Sequence, residues 1–284
     1  MQGLYKPIIP LQNSKYYTDI RIDELLKLKS PLHTQYERAK DCNSFIQIIE
    51  GKRKTSYCNS RACNICNRIR MAKGVNGYMS QISDWNSRFI TLTAPTVKIQ
   101  DLRSTIDSRR NQWNLIRRKL KRQGHNPMGF TKQEVTYNSK TNKVHPHLHI
   151  VLKDNFDTNE IIEQWLLRNQ NASIKAQKNL KVKEGTLLEL FKYSVKDVAN
   201  EGDKEKMFKI PPGVFNDILI ALQNKRTFQP FGEVRKISED VEELQSIKYM
   251  PDGNFRWDLY KKRFIEITTG QTLTSETRLI EKGI

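Results

Sequence analysis

The sequence predicts an α+β fold, in which a central antiparallel sheet is flanked by helices and preceded by a small metal-binding module. Two stretches indicate the sheet: strictly alternating residues at 144–152, and a β-branched and aromatic run at 88–94. Helical periodicity at 98–122 supplies a long helix to cover it. Clustered cysteines at 42–66 indicate the module.

The stretch VHPHLHIVL at 144–152 contains three of the chain's five histidines. His145, His147 and His149 alternate with apolar residues, so a strand places all three on one face. Neutral imidazoles two residues apart on a strand converge on one point, which suits a divalent metal ion. A similar pattern occurs in the histidine-triad nucleotide hydrolases, where a histidine is the nucleophile, and that alternative stays open at this point.

A second strand is predicted at 129–137, joined to the histidine strand by a turn at 138–143. If the hairpin closes symmetrically, position 134 pairs with 147 and position 136 with 145, and Glu134 shares the imidazole face. A carboxylate among imidazoles favours Mg²⁺ or Mn²⁺ as the ion. The candidate ligands are therefore Glu134, His147 and His149, with His145 as an additional ligand or a supporting group. The alternative is a simple cross-strand pair between Glu134 and His147.

All four cysteines lie within one short segment, with the spacing Cys42-x15-Cys58-x4-Cys63-x2-Cys66. A hairpin of strands at 45–49 and 54–57 brings Cys42 beside Cys58, and four thiolates suit a tetrahedral structural Zn²⁺ site. His33 is an alternative to Cys42 as the fourth ligand. Free buried thiols and a redox Cys-x-x-Cys are the competing interpretations.

The chain has a net charge of +18 and a pI of about 9.7, which indicates a polyanionic partner such as nucleic acid. No apolar run approaches the length of a membrane span, so a cytoplasmic nucleic-acid-binding protein is expected. The candidate DNA-binding residues are basic side chains of the cysteine module and of the helix at 98–122: Arg61, Arg68, Arg109, Arg110, Arg117, Arg118 and Lys121. A solvated charged helix is the alternative for the second group.

The remaining stretches complete the predicted organisation. Residues 1–18 show no periodicity and are predicted to be an extended arm, followed by a helix at 19–29. A helix predicted at 185–200 places Glu189, Tyr193 and Lys196 on a common face. The predicted domains are an arm and helix at 1–35, the zinc-binding module at 36–84, a core at 85–204, and a C-terminal extension at 205–284 that completes or flanks the core.

Three stretches, FITLT at 89–93, HPHLHIVL at 145–152 and KYSVK at 192–196, occur in an order that resembles the HUH endonucleases. The closer resemblance, over residues 36–236, is to the Rep proteins that initiate rolling-circle replication of small bacterial plasmids. Those proteins carry a similar cysteine cluster before the first motif and a glutamate four residues before the tyrosine, as Glu189 precedes Tyr193. The sequence departs from them at Asn64, where many relatives have proline, and at Gly232, where a glycine pair is common.

The resemblance implies an HUH, ferredoxin-like antiparallel sheet with His147 and His149 on its middle strand. It also implies that Tyr193 attacks a phosphate of single-stranded origin DNA, leaving a 5′-phosphotyrosine and a free 3′-hydroxyl. Lys196 could stabilise the phenolate, and Glu189 could activate water for termination.

The partners expected from this resemblance are origin DNA, a host helicase and a polymerase, and a homodimer stays open. The alternatives are an HUH transposase or relaxase, which shares the chemistry, and a non-catalytic zinc-containing nucleic-acid-binding protein.

Overall fold

The computed structural model describes residues 8–50, 52–82, 85–182, 195, 197, 207–237 and 252–273. They belong to two compact units, one formed by residues 1–72 with 240–284 and the other by residues 73–239. Most of the helix predicted at 185–200, including Glu189, Tyr193 and Lys196, lies outside the described residues.

The described residues contain both helices and strands, and the α+β prediction is confirmed. The helices are α1 (Ile8–Leu26), α2 (His33–Asp41), α3 (Asn64–Ile82), α4 (Leu102–Arg122), α5 (Asn159–Arg168) and α6 (Pro212–Ala221). The strands are β1 (Phe45–Ile49), β2 (Lys52–Thr55), β3 (Ser87–Leu92), β4 (Gly129–Asn138), β5 (Lys143–Lys153), β6 (Lys178–Lys181), β7 (Phe228–Phe231), β8 (Gly253–Asp258) and β9 (Arg263–Glu266).

The unit of residues 73–239 is built on a five-stranded antiparallel sheet with the order β6-β3-β5-β4-β7. The histidine strand β5 is therefore its middle strand. The β4–β5 hairpin pairs Glu134 with His147 and Thr136 with His145, and so the predicted register is confirmed. This register places Glu134 and the histidines on one face of the sheet.

The opposite face of this sheet carries the apolar core. Leu148, Ile150 and Leu152 of β5 pack in one cluster with Trp113 of α4 and Trp165 of α5. Because these apolar residues alternate with the histidines, α4 and α5 cover the face away from Glu134 and the histidines. The exposed basic side chains of α4 are consequently on the far side of the sheet from the histidines.

Strand β7 ends at Phe231. Gly232 follows with a φ of 73°, in the left-handed region that favours glycine. A Cβ at this position would lie 2.6 Å from the Cβ of Met128. The strand therefore ends before Gly232 for a steric reason: no side chain fits at this position.

The other unit contains a four-stranded antiparallel sheet with the order β2-β1-β8-β9. Its core consists of Ile46, Ile48, Phe255, Phe264 and Leu273. The sequence grouped residues 205–284 as one extension, whereas in the structure 207–237 and 252–273 fall in different units. The pairing of β8 with β1 joins positions about two hundred residues apart, which no local pattern indicates.

The extended arm predicted for residues 1–18 is wrong from residue 8 onward, because α1 begins at Ile8. The buried side chains of α1 include polar ones, which removes the apolar periodicity that marks a helix. Lys15 is fully buried, where its Nζ lies 2.8 Å from Asp19 Oδ1 and donates to the carbonyl of Lys40 at 2.6 Å. The helix thus combines buried apolar side chains, Ile22 and Leu25, with a buried lysine whose contact to Lys40 appears only in the folded unit.

Candidate metal centres

Strands β4 and β5 bring Glu134, His147 and His149 together, with their ligand atoms all within 4.8 Å of one another. The Nε2 atoms of the two histidines are 3.1 Å apart. Glu134 Oε1 lies 3.9 Å from His147 Nε2, and Glu134 Oε2 lies 3.5 Å from His149 Nε2. A carboxylate and two imidazoles thus converge on one point, as the hairpin register requires.

The remaining ring nitrogens of these histidines are fixed by the protein. His147 Nδ1 is 3.1 Å from the carbonyl oxygen of His145, and His149 Nδ1 is 3.2 Å from Thr91 Oγ1. Gln133 Nε2 donates at 3.0 Å to the carbonyls of both Glu134 and His147. Engaging Nδ1 orients each ring and leaves Nε2 as the ligand atom, which is the usual arrangement around a protein-bound metal.

Glu134 is nearly inaccessible to solvent and stays ionised. Burial by itself would raise the pKa of its carboxyl group, but the hydrogen bond from His149 and the charge of Lys132 outweigh burial and lower it to about 2. Lys132 is only 2% exposed, and its Nζ lies 3.2 Å from Glu134 Oε2. Sequence reasoning missed Lys132, although its spacing of two from Glu134 on a predicted strand already placed both on one face.

His147 is suited to be a neutral ligand. Burial is the main cause that lowers the pKa of His147, to about 4, and the neighbouring His149 adds to it. Neutral imidazole nitrogens and one ionised carboxylate form a donor set that Mn²⁺ or Mg²⁺ accepts. His145 is not among the converging groups, and its ring stacks on that of His147 with centroids 5.2 Å apart.

The second cluster consists of the four cysteines, whose sulfur atoms lie within 4.8 Å of one another. Cys42 Sγ is 3.7 Å from Cys66 Sγ and 3.6 Å from Cys63 Sγ, and Cys58 Sγ is 3.6 Å from Cys66 Sγ. A tetrahedron with Zn–S bonds of about 2.3 Å has edges of about 3.8 Å. The sulfur positions therefore fit a structural Zn²⁺ ion.

Hydrogen bonds within the cluster favour the thiolate at Cys42 and raise the pKa values of Cys58 and Cys63. The backbone N–H of Ser60 donates to Cys58 Sγ at 3.4 Å, and that of Cys66 to Cys63 Sγ at 3.5 Å. Hydrogen bonds from the Cys58 and Cys63 thiols lower the pKa of Cys42. His33 is 49% exposed and lies 3.6 Å from Glu37, so Cys42 rather than His33 completes the group.

The predicted DNA-binding residues have different environments. Arg109 is 4% exposed and donates to the carbonyls of Pro95 and Pro146, so its guanidinium is committed to the protein. Arg110 donates to the carbonyl of Arg226 at 2.6 Å, and the Arg117 guanidinium lies 5.2 Å from the centre of the Phe231 ring.

The other predicted DNA-binding residues are more accessible. Arg118 and Lys121 are exposed on the outer surface of α4, and Arg61 is half-buried. Arg68, also half-buried, donates to Ser14 Oγ at 2.9 Å.

The fold and the two clusters define a basic α+β protein with one Cys₄ group and one Glu–His₂ group that could hold metal ions. Within the described part of the chain, every helix is too short or too polar to cross a bilayer.

Comparison with known proteins gives the family. The family model described as Replication protein (Rep_1) matches residues 51–253, and the chain belongs to this family. The chain is 28% identical over 191 residues to "Protein rep" of Staphylococcus aureus, a match that covers 57% of this chain and 82% of the relative. It is 24% identical over 271 residues to "Protein rep" of Streptococcus pneumoniae serotype 2 (strain D39 / NCTC 7466), covering 83% of this chain and 82% of the relative. The search of solved structures gave no significant match.

The resemblance to Rep proteins that the motifs indicated is thereby confirmed. Family membership supports a replication initiator, and it removes the histidine-triad hydrolase as an interpretation of the histidine strand.

Proposed function

We propose that this chain initiates rolling-circle replication by nicking single-stranded origin DNA and transferring the cut strand, on an HUH-type fold. The observation that carries the proposal is the Glu134–His147–His149 group on the middle of an antiparallel sheet, in a chain of the replication protein family. The net charge of +18 suits a DNA substrate. A replication protein of this kind would act in the cytoplasm, with a host helicase and polymerase working on the opened strand.

In this proposal Glu134, His147 and His149 hold a Mg²⁺ or Mn²⁺ ion. Such an ion, when bound, polarises the scissile phosphate and stabilises the charge that develops in the transition state. Lys132 keeps Glu134 ionised, while Thr91 and the His145 carbonyl keep the two imidazoles oriented. These protein groups hold the ligands ready, so little reorganisation is needed at the moment of reaction.

Tyr193 is the proposed nucleophile. Its phenolic oxygen would form a bond to phosphorus while the bond to the 3′ oxygen breaks, which leaves a 5′-phosphotyrosine and a 3′-hydroxyl for a polymerase. A phenol has a pKa of about 10, so Tyr193 needs a nearby positive charge, and Lys196 in the same segment is the proposed source.

A described residue supports this choice of nucleophile. Val195, two positions after Tyr193 in the sequence, forms an isolated parallel bridge with Val135, the residue that follows Glu134 on β4. This contact of Val195 beside Glu134 is the reason for preferring Tyr193 as the residue that acts at the Glu134–His147–His149 group.

Glu189 is the proposed termination residue. A second cut by a tyrosine would leave the protein attached to DNA again, whereas a carboxylate that activates water releases the strand. This role rests on the spacing of Glu189 and Tyr193 in the resembling plasmid initiators. The competing proposals are an HUH transposase or relaxase, which differs in its DNA substrate, and a non-catalytic zinc-containing DNA-binding protein, which would not cut at all.

The test is cleavage of single-stranded oligonucleotides that tile the flanking replicon, resolved on a denaturing gel. We expect a covalent protein–DNA adduct with the native chain and none with Tyr193→Phe. The double variant His147→Ala/His149→Ala should lose at least about 100-fold in cleavage rate. Removing a group that only supports a metal ligand typically costs about 10–100-fold, and this variant removes two ligands themselves. His33→Ala is the matched control, since it removes an exposed histidine in the other unit and should cut normally.

The same assay tests the termination step. Glu189→Gln should form the adduct at the native rate but fail to release closed product. Native cleavage by the double histidine variant would exclude the metal assignment, and the absence of cleavage in every tiled strand would favour the non-catalytic alternative.

A further inference from the structure

An open groove of about 850 Å³ lies beside the histidine face in the unit of residues 73–239. His145 and Thr136, which pair across β5 and β4, are part of its lining. The turn at 137–140 lines it as well, as does the loop that carries Asn171 and Ser173. Its volume falls in the range of about 300–1,000 Å³ typical of ligand sites, which is room for at least one nucleotide.

The groove adjoins the candidate metal group, which consists of Glu134, His147 and His149, through one pair of rings. The imidazole of His145 stacks on that of His147, with centroids 5.2 Å apart and an angle of 27° between the ring planes. His147 is a proposed ligand, and His145 is two residues away on the same strand, a step of about 6.8 Å. A DNA strand with one phosphate at the metal group would therefore place an adjacent nucleotide over His145.

The chemistry of the lining suits a base and its phosphate. Asn138, Asn171 and Ser173 offer uncharged donors and acceptors of the kind that contact base edges. The ring of His145 offers a surface on which an unpaired base can stack. Among the described residues that line the groove, the acidic type is absent, and Lys140 supplies a positive charge.

We propose that this groove binds a nucleotide next to the scissile phosphate of single-stranded DNA. His145 stacks on the base, and Asn171 and Ser173 contact its edge, so the groove contributes to the choice of the cut site. The statement that this nucleotide lies next to the cut rests on the proposed nicking function. Binding of DNA in the groove is measured without cleavage, so the groove proposal and the nicking proposal can fail separately.

The first experiment places one negative charge in the groove and one outside it. Asn171→Asp and Asn155→Asp are matched, because both asparagines are exposed in loops and Asn155 lies just beyond the other end of β5. The probe is a fluorescein-labelled, random-sequence single-stranded oligonucleotide, read by anisotropy without added divalent ions. We expect Asn171→Asp to weaken binding about 10-fold and Asn155→Asp by less than about 2-fold, with the difference shrinking at high salt.

The second experiment maps the contact directly in the native chain. Oligonucleotides that carry 5-iodouracil are cross-linked by light, and tryptic peptides are identified by mass spectrometry. Cross-links at Tyr137, in the peptide of residues 133–140, are expected. Equal affinity of the two aspartate variants, cross-links confined to other peptides, or no binding of single strands would each overturn the proposal. Cross-linking at Tyr137 by a protein that never cuts would uphold the groove and refute the nicking function.

Discussion

At the scale of single residues, Arg109 shows how one buried side chain supports the histidine strand. The β3–β5 ladder ends at the pair Leu92–Leu148, so Pro146 lies beyond it. Arg109 donates to the carbonyls of Pro146 and Pro95, and it joins β5 to the segment after β3 between the end of the ladder and the isolated bridge of Val97 with Val144. Burial lowers the pKa of its guanidinium only to about 10, so it remains charged. Because Pro146 lies between His145 and His147, the bond from Arg109 supports the part of β5 that carries the candidate metal ligands.

We therefore expect Arg109→Met to lower the free energy of unfolding by about 1–3 kcal/mol, because two buried carbonyls lose their donor. Urea unfolding followed by circular dichroism measures this. Arg118→Met is the matched control, since Arg118 is exposed on the same helix and should change the value by less than about 0.5 kcal/mol. Equal stability of the two variants would show that Arg109 is dispensable for the fold.

At the scale of secondary structure elements, the cysteine cluster joins the ends of three separate elements. Cys42 follows α2, Cys58 follows β2, and Cys66 lies in the first turn of α3, with Cys63 just before it. The nearby sheet has a small apolar core of Ile46, Ile48, Phe255, Phe264 and Leu273. A module with so few apolar contacts depends on a bound ion for much of its stability.

Purified protein is therefore expected to contain about one zinc ion per chain, and Cys58→Ser to contain almost none. Because the ligands come from separate elements, loss of zinc should unfold the unit of residues 1–72 and 240–284. Elemental analysis and near-ultraviolet circular dichroism measure both effects. A zinc chelator should reproduce them in the native chain, reversed by added zinc, and should leave Cys58→Ser unchanged. A folded native protein free of zinc would contradict the assignment.

At the scale of the whole molecule, exposed basic residues of α4 lie away from the candidate metal group. Glu134, His147 and His149 lie on one face of the five-stranded sheet, while exposed Arg118 and Lys121 lie on α4 at the other. A short single strand bound at the metal group is separated from α4 by the thickness of the sheet, about one Debye length or more at 0.1 M salt. A long duplex could contact both the candidate metal group and α4.

DNA binding should weaken steeply as salt rises, with a slope of about −0.7 per phosphate contact for single strands. We expect Arg118→Gln/Lys121→Gln to leave the slope for a short single strand unchanged and to make the slope for a long duplex less negative by up to about 1.8. Anisotropy titrations over salt concentration provide the measurement. A flat titration with either DNA would contradict phosphate contacts as the main source of affinity.

Most residues of the two candidate metal groups could be predicted from sequence, because they lie at short, regular spacings. Alternation within 144–152 placed His147 and His149 on one face, and a short turn fixed the partner strand so closely that Glu134 was found opposite His147. The spacing of Cys63 and Cys66 indicated the second cluster in the same way. A period of two and a tight hairpin leave little freedom, so the sequence by itself determined these groups.

Tertiary structure decided what depends on distant partners. Arg109 looked like one more surface charge on a basic helix, and only the packing of α4 on β5 shows that it is buried against Pro146. Helix α1 was hidden because several of its buried side chains are polar, and Lys15 gains one of its partners, the carbonyl of Lys40, only from another element. The same holds for β8, which pairs with β1 across most of the chain. Burial and long-range pairing are properties of the folded chain, and the local pattern of residue types carries no record of them.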